Sequence, residues 1–311
     1  MENFILYFLI SRFMKVLVTG GAGFIGSHIA EYFANAGHSV RVLDNLSTGF
    51  LENIPEHKNI EFIKGDICDP SLVSKAVFGM DWVFHEGALV SVPLSCEKPA
   101  EAFQVNTLGT LNVLQACVEA KVKKFVTASS AAVYGNSPIL PKKEDMLPEP
   151  ASPYAISKLD VEFLARLFYE KYGLRTTCLR YFNVYGPRQD PKSPYAAVIP
   201  IFIERAKTGK DLVIYGDGLQ SRDFVHVEDV VRANVAALEH GDGDVFNVAM
   251  GKSVTVLELA ETILELTGSS SKILYSEQRA GDVRDSLADV SKISGWWKGK
   301  IELKDGIKDL I

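Results

Sequence analysis

An α/β fold built on a parallel, doubly wound sheet is what this 311-residue chain predicts, and three observations predict it. Short apolar runs of strand length alternate with longer stretches of helical periodicity. The first run feeds a turn whose glycines lie three apart, and the second ends on an acid. Strand-like runs cover residues 15–19, 39–44, 60–65, 82–85, 124–129, 176–181 and 245–248. Helical stretches cover 102–120, 154–172, 196–208, 227–240 and 256–267. Residues 45–55 are polar, include Gly49 and read as a loop. From about Tyr185 the alternation loosens, because Pro187, Pro191, Pro194 and Pro200 interrupt it.

The chain opens with an apolar run, Phe4 to Ile10. It is too short to span a bilayer and lacks the basic start and small-residue cleavage site of a signal peptide. Met14 is therefore read as the effective start, and residues 1–13 as a non-essential extension. Lys15 to Thr19 then form a strand-like run, followed by Gly20, Gly23 and Gly26. Phe24, Ile25, Ile29, Tyr32 and Phe33 give a helical stripe, with Gly37 placed to stop it. A strand, a glycine-rich turn and a helix start make a cradle for a pyrophosphate, since bare N–H groups and the helix dipole favour an anion. The next run ends in Asp44, 18 positions after Gly26. An acid there accepts from ribose hydroxyls and repels a 2′-phosphate, which points to NAD over NADP.

Tyr154-Ala-Ile-Ser-Lys158 follows Ser152-Pro153. Ser152 is a good N-cap and Pro153 a good first helical residue. Positions i and i+4 share a helix face, so phenol and ammonium project together. A nearby ammonium is expected to lower a phenol pKa that starts near ~10, making a base for a sugar hydroxyl. Ser130 ends a strand-like run, at the carboxyl edge where ligands meet open α/β sheets, with Ser129 as rival.

Hydrophobic content of 47% and charged content of 23% are those of an ordinary globular chain. A net charge of −6 argues against nucleic-acid partners and an anionic membrane surface. An anionic substrate then needs local cations, and Arg222 and Arg279 are available. Cys68, Cys96, Cys117 and Cys178 form no C-x-x-C pair, which fits reduced thiols in a cytoplasm and no metal site.

Gly20-x-x-Gly23-x-x-Gly26, Asp44, Ser130 and Tyr154-x-x-x-Lys158 together resemble the extended short-chain dehydrogenase/reductase family, and within it the nucleotide-sugar 4-epimerases. The resemblance runs from about Met14 to the C-terminus. It takes in Asp66-Ile67, Ser129 to Gly135, Leu179 to Pro187, Ser221 to Phe224 and Arg279-x-Gly281-Asp282. One departure is His85-Glu86-Gly87-Ala88, where the family usually has alanine at the third place.

The resemblance implies a Rossmann-type domain over about 14–184. A smaller, interleaved α/β substrate-binding lobe then takes 185–311, with some segments returning to the sheet. It implies that Gly20, Gly23, Phe24, Ile25, Gly26, Asp44 and Asn45 bind NAD. Asp66 and Ile67 would meet the adenine, and Tyr154, Lys158 and Tyr181 the far end. Tyr154, Lys158 and Ser130 are the implied catalytic residues. Asn183, Arg222, Arg279 and Asp282 would hold a UDP-sugar, with Ser91, Ser130, Ala197 and Ser286 beside the sugar. A small residue at Ser286 leaves room for an acetamido group. Asn106 resembles the family's scaffolding asparagine.

The implied reaction is NAD-dependent C4 epimerisation of a UDP-hexose, plain and N-acetylated. Alternatives are a UDP-glucuronate 4-epimerase or another sugar-nucleotide-modifying relative, and, outside enzymes, an NAD-sensing scaffold. A 4,6-dehydratase needs an acid/base pair after its active-site Thr, and here those places are Ala131 and Ala132. Helices 102–120 and 154–172 resemble the pair that forms a four-helix homodimer interface.

Overall fold

The computed structural model describes residues 13–191, 197–278 and 283–311. The chain divides into two compact units. The first comprises residues 1–133, 150–180 and 231–246; the second comprises 134–149, 181–230 and 247–311.

In the first unit, β1 (Lys15–Thr19), β2 (Ser39–Asp44), β3 (Ile60–Lys64), β4 (Trp82–His85), β5 (Lys124–Ser130) and β6 (Thr176–Tyr181) join β11 (Asp244–Val248). They make one seven-stranded sheet in the order β11-β6-β5-β4-β1-β2-β3. The pairs β1/β2, β1/β4, β2/β3 and β4/β5 are all parallel. The chain runs outward from β1 to β3, then restarts on the other side at β4. The carboxyl ends of β1 and β4, at Thr19 and His85, therefore lie side by side at the switch point where open sheets take ligands. The central strands β1 and β4 read as nearly continuous apolar runs because both their faces are covered, whereas β3 at the edge alternates with Glu61 exposed. Leu17, Leu43, Val83 and Phe125 pack with Val113, Leu114 and Cys117 of the helix Gly109–Glu119 in one buried cluster. Each such side chain contributes about 1.5–3 kcal/mol.

The stretch predicted as one helix over 102–120 is three pieces: a helix at Pro99–Phe103, a π-helical turn at Gln104–Leu108 and a helix at Gly109–Glu119. Asn106 explains the break, since it lies in that turn fully buried. Its amide accepts from Leu89 N (2.7 Å) and donates to Leu89 O (3.0 Å) and Ser157 Oγ (2.9 Å). The helix expected over 227–240 closes at Ala236, where Leu238 and Glu239 switch to i−3 bonds with Val235 and Ala236.

Among the described residues, the second unit has no large sheet of its own. It holds β7 (Asn183–Tyr185), β8 (Leu212–Tyr215), β9 (Ser221–Arg222), β10 (Phe224–His226), β12 (Val254–Thr255) and β13 (Ile273–Ser276). They pair two by two: β7 with β10 and β8 with β13 in parallel, β9 with β12 antiparallel. These short strands are mostly absent from the sequence reading, because two to four residues carry no measurable alternation. Tyr185, Ile199, Phe202, Leu212 and Leu259 centre its core. The helix Val256–Thr267 begins with a full capping box, Thr255 with Glu258, and ends on Gly268 at φ 61°.

Candidate active site

The glycine turn follows β1 directly. Gly20 has φ +67°, and a Cβ there would lie 2.6 Å from Gly87 N. A Cβ on Gly26 would lie 2.3 Å from Gly20 O. Only glycine fits either place, which is why the turn can close this tightly. The helix Phe24–Asn35 starts at Gly23 with no side-chain cap, so main-chain N–H groups are offered to an anion. Phe24 and Ile25 open that helix half-buried, and Gly26 is buried in its first turn. Asp44, at the end of β2, steadies the turn: its carboxylate accepts from Ala22 N (3.0 Å) and Leu46 N (2.7 Å). Asp66 accepts from the Asn45 amide (2.9 Å) and Cys68 N (2.8 Å). Burial works to raise the Asp66 carboxyl, but these bonds win and hold it below the ordinary range. Ile67 is buried beside it. At Gly87 a Cβ would lie 3.2 Å from Thr19 Oγ1, so this chain's glycine relieves a contact an alanine would have to push aside.

Tyr154 and Lys158 sit in the first two turns of the helix Pro153–Tyr172, N-capped by Ser152, whose Oγ accepts from Ala155 N at 3.1 Å. The ammonium lies 6.0 Å from the centre of the phenol ring and donates to Ala128 O at 2.9 Å. Burial pulls Lys158 down to about 8, against the attraction of Glu86 and Glu162. Burial also raises the Tyr154 phenol above its ordinary value, opposed by a hydrogen bond with Ser130 and reinforced by Glu86. Lys158 was expected to lower Tyr154; in the protein alone, burial outweighs it. The ammonium stands too far off, and the phenolate loses its hydration.

Around the pair the polar groups are tied down. Asn106 holds Ser157 Oγ, which donates to Tyr154 O at 2.8 Å. Tyr154 N donates to Ser95 Oγ at 3.1 Å. His85 is buried between two hydroxyls, Thr19 Oγ1 (2.7 Å) and Thr110 Oγ1 (2.9 Å). Thr110 spends its proton on Asn106 O, so His85 donates through Nε2 and accepts through Nδ1. Burial, with the Lys158 charge adding, lowers His85 to about 3, so it stays neutral. Ser129 is committed elsewhere: its hydroxyl donates to Glu162, which forms a buried two-pronged pair with Arg180 at 2.8 Å on each prong. Ser130 is left as the hydroxyl beside Tyr154. Tyr181 ends β6, buried.

The second unit carries a cavity of about 260 Å³. Asn183, Ala197 and Arg222 line it, with Tyr185, Phe202, Val213, Tyr215 and Gln220. Asn183 donates through its side-chain amide to Asp223 O (3.1 Å), and Arg222 to Ser221 O (2.9 Å). Ser286 is not in this wall. Its N–H donates to Ser221 O at 3.0 Å, placing it beside β9. Ser91 belongs to the first unit, where it caps the helix Val92–Glu97 by accepting from Leu94 N (3.1 Å). Arg279 and Asp282 lie outside the described residues.

The model of the NAD dependent epimerase/dehydratase family matches residues 16–249. The chain belongs to that family. Its relatives include a UDP-N-acetylglucosamine 4-epimerase from Methanobrevibacter ruminantium, solved with UDP-N-acetylmuramic acid. That structure is 42% identical at a TM-score of 0.93, covering 96% of this chain and 97% of the other. A UDP-glucose 4-epimerase from Thermotoga maritima, solved with UDP-glucose, is 41% identical at a TM-score of 0.91, covering 95% and 96%. A UDP-N-acetyl-alpha-D-glucosaminuronate decarboxylase from Bacillus cytotoxicus is 41% identical, covering 84% of this chain and 83% of the other.

This member of the family is thus an NAD-using enzyme of the nucleotide-sugar 4-epimerase type. Sequence reasoning passed over Glu162, Arg180 and His85, and most of the cavity wall. Glu162 had a signal: it lies four residues after Lys158, the same helix spacing that exposed Tyr154. Among the described residues no cluster of His, Cys, Asp and Glu could hold a metal ion, and no helix is long and apolar enough to cross a membrane.

Proposed function

We propose that this enzyme interconverts the C4 epimers of UDP-hexoses, with the 4-hydroxyl proton moving to and from Tyr154 Oη. The grouping of Tyr154, Ser130 and Lys158 on one helix start and one strand end carries the reading. Ser130 orients the sugar's 4-oxygen and shares a hydrogen bond with the phenol. Lys158 holds a positive charge on the phenol's face.

The glycine turn fits a dinucleotide, since a Cβ at Gly20 or Gly26 would fill the cradle. Gly20, Gly23, Phe24, Ile25 and Gly26 would hold the pyrophosphate, Asp44 and Asn45 the ribose, and Asp66 and Ile67 the adenine. Tyr154, Lys158 and Tyr181 would stand at the other end. Bound NAD supplies a hydride acceptor at the sugar's C4 and a positive charge that favours the phenolate. Asn183 and Arg222 would take the nucleotide part of the substrate, together with Arg279 and Asp282, with Ala197 beside the sugar. Ser91 and Ser286 would leave room for an acetamido group.

Ala131 and Ala132 follow Ser130 in a 3₁₀ turn and cannot move protons, which speaks against dehydration. The decarboxylase relative favours a second reading, in which a uronate is the substrate. Two further proposals follow. Leu108, Ile156, Phe163 and Leu167 are exposed on the π-helical turn Gln104–Leu108 and the helix Pro153–Tyr172, which supports a homodimer through those helices. All four cysteines are free thiols, in keeping with a cytoplasmic location.

The test is incubation of the purified protein with UDP-glucose, UDP-N-acetylglucosamine and UDP-glucuronate separately. C4 epimers of the first two are expected. A CO₂-releasing reaction with the uronate alone would overturn the reading.

A further inference from the structure

Asp223 is the joint between two of the second unit's short strands. Before it, β9 pairs with β12; after it, β10 pairs with β7, with Phe224 opposite Asn183. The residue is fully buried, and all its oxygens are engaged. Carboxylate Oδ1 accepts from Met250 N (2.9 Å), and Oδ2 from Gly251 N (3.0 Å) and Ala288 N (3.2 Å). The main-chain oxygen accepts from Asn183 N (3.2 Å) and from the Asn183 side-chain amide (3.1 Å). Asp223 thus stands one step behind the cavity wall, in which its chain neighbours Arg222 and Phe224 and its partner Asn183 all lie.

Three N–H groups converge on this side chain. A carboxylate accepts from all of them. Once protonated, one oxygen becomes a donor and must turn away from an N–H. Burial raises the Asp223 carboxyl to about 6, against main-chain N–H groups at Met250, Ala288, Gly251 and Lys252. The charged groups on the elements around it are engaged elsewhere. Arg222 donates to Ser221 O and Arg284 O, Arg284 pairs with Asp217, and Asp285 takes the Ser221 hydroxyl. Lys143 faces Asp289, Lys252 faces Glu302, and Lys142 donates to Ser137 O. Tyr185 and His226, on β7 and β10, pack ring against ring. The Asp223 charge is therefore met by main-chain dipoles.

We propose that Asp223 is a positioning residue for the substrate's diphosphate, its ionised carboxylate pinning the joint that presents Arg222 and Asn183 to the phosphates. The inference rests on the nucleotide-sugar reading above and adds to it a dependence of substrate affinity on one buried charge. A proton on Asp223 frees one of its main-chain partners from the joint, and Arg222 and Asn183 lose their fixed spacing. Asp223 acts through those two side chains, so its mark falls on KM. Its effect on stability runs the other way. From 3.8 to about 6 the folded chain holds this proton more tightly than the unfolded one, so the group makes stability fall as pH rises across that window. Affinity lost in acid through Asp223 is therefore not unfolding.

The experiment is calorimetric titration of the NAD-loaded full chain with UDP-glucose at pH 7, 6 and 5. That ligand's diphosphate is esterified at both ends and carries no group that titrates in this range. The fraction of chains with Asp223 ionised falls from about nine-tenths to about a tenth, so binding should weaken roughly tenfold. Asp223→Asn keeps the shape but offers one acceptor and no titration. It should bind roughly tenfold more weakly at pH 7 and show no pH dependence below it. Its KM should rise with kcat nearly kept, and NAD affinity should be unchanged. Equal affinity of the unaltered chain at pH 7 and pH 5 overturns the inference and leaves the nucleotide-sugar reading standing. So does an Asp223→Asn protein that binds as tightly as the unaltered one, or one that still weakens in acid as the unaltered one does. A chain that holds NAD but binds no UDP-glucose at any pH loses the nucleotide-sugar reading, and the inference with it. Should Asp223→Asn fail to fold, the pH series on the unaltered chain decides alone.

Discussion

In the first unit, a seven-stranded sheet presents the candidate catalytic groups from strand ends and one helix start, and Asn106, Ser157 and Glu162 brace them from behind. In the second, three separate strand pairs and two helices, Val198–Lys207 and Val256–Thr267, each lend one or a few residues to the wall of a cavity. The difference teaches where rigidity is spent. Proton transfer tolerates little misplacement, so regular elements braced from behind suit the role proposed for Tyr154 and Ser130. The substrate recognition proposed for the second unit draws single residues from many short elements, which leaves more room for variety.

The sharpest way to break this division is Tyr154→Phe. It removes one hydroxyl from the braced unit. The epimerisation rate should fall by at least about 10²–10⁴-fold, with NAD content and UDP affinity kept. A variant retaining more than about a tenth of the rate would remove Tyr154 from the role of base.

Cofactor choice tests the same unit at its other end. Asp44 is buried, and both its oxygens already accept main-chain N–H groups, so it cannot swing away from a 2′-phosphate. Titration should show NAD binding about a hundredfold or more tighter than NADP, since a juxtaposed like charge costs several kcal/mol. Similar affinities would dismiss Asp44 as the selector.

Arg222→Leu probes the second unit. UDP affinity should drop by roughly tenfold to a hundredfold, as a charge-assisted phosphate contact is lost. KM should rise far more than kcat falls. A mainly kcat effect would blur the division between the units.

Ser286→Tyr asks whether the residue beside β9 reaches the sugar. A loss of about tenfold for N-acetylated substrates, with plain hexoses less affected, is expected from selective overpacking. Equal losses for both would take Ser286 out of the pocket.

The smallest effect is thermodynamic. Lys158 falls to about 8 on folding from an ordinary 10.5. Between those values the unfolded chain binds more protons than the folded one, so this group makes stability rise with pH across that window. Melting curves of Lys158→Met should lack that slope relative to the unaltered protein. Parallel curves would mean the ammonium is well solvated.

The legible part of the molecule was the part where backbone geometry dictates residue type. Gly20 and Gly26 are forced by clashes, and Ser152-Pro153 by the needs of a helix start, so each leaves a mark in the sequence. The break at 104–108 left none, because Asn106 is an ordinary polar residue until Leu89 and Ser157 come to it. The direction of the Tyr154 shift was misread for a related reason. A Tyr–Lys spacing shows the charge that lowers a pKa, while the burial that raises it belongs to the whole fold. The cavity was read only at Asn183, Ala197 and Arg222. The remaining wall is assembled from segments far apart in the chain.

The chain alternates between its units in six stretches, from 1–133 through to 247–311. Neither unit corresponds to a continuous length of gene. A truncation cannot deliver the second unit by itself, and recombination at one point cannot hand it to a relative as a module. Its ligand preference must therefore drift by point substitutions, under the constant requirement that the other half still folds.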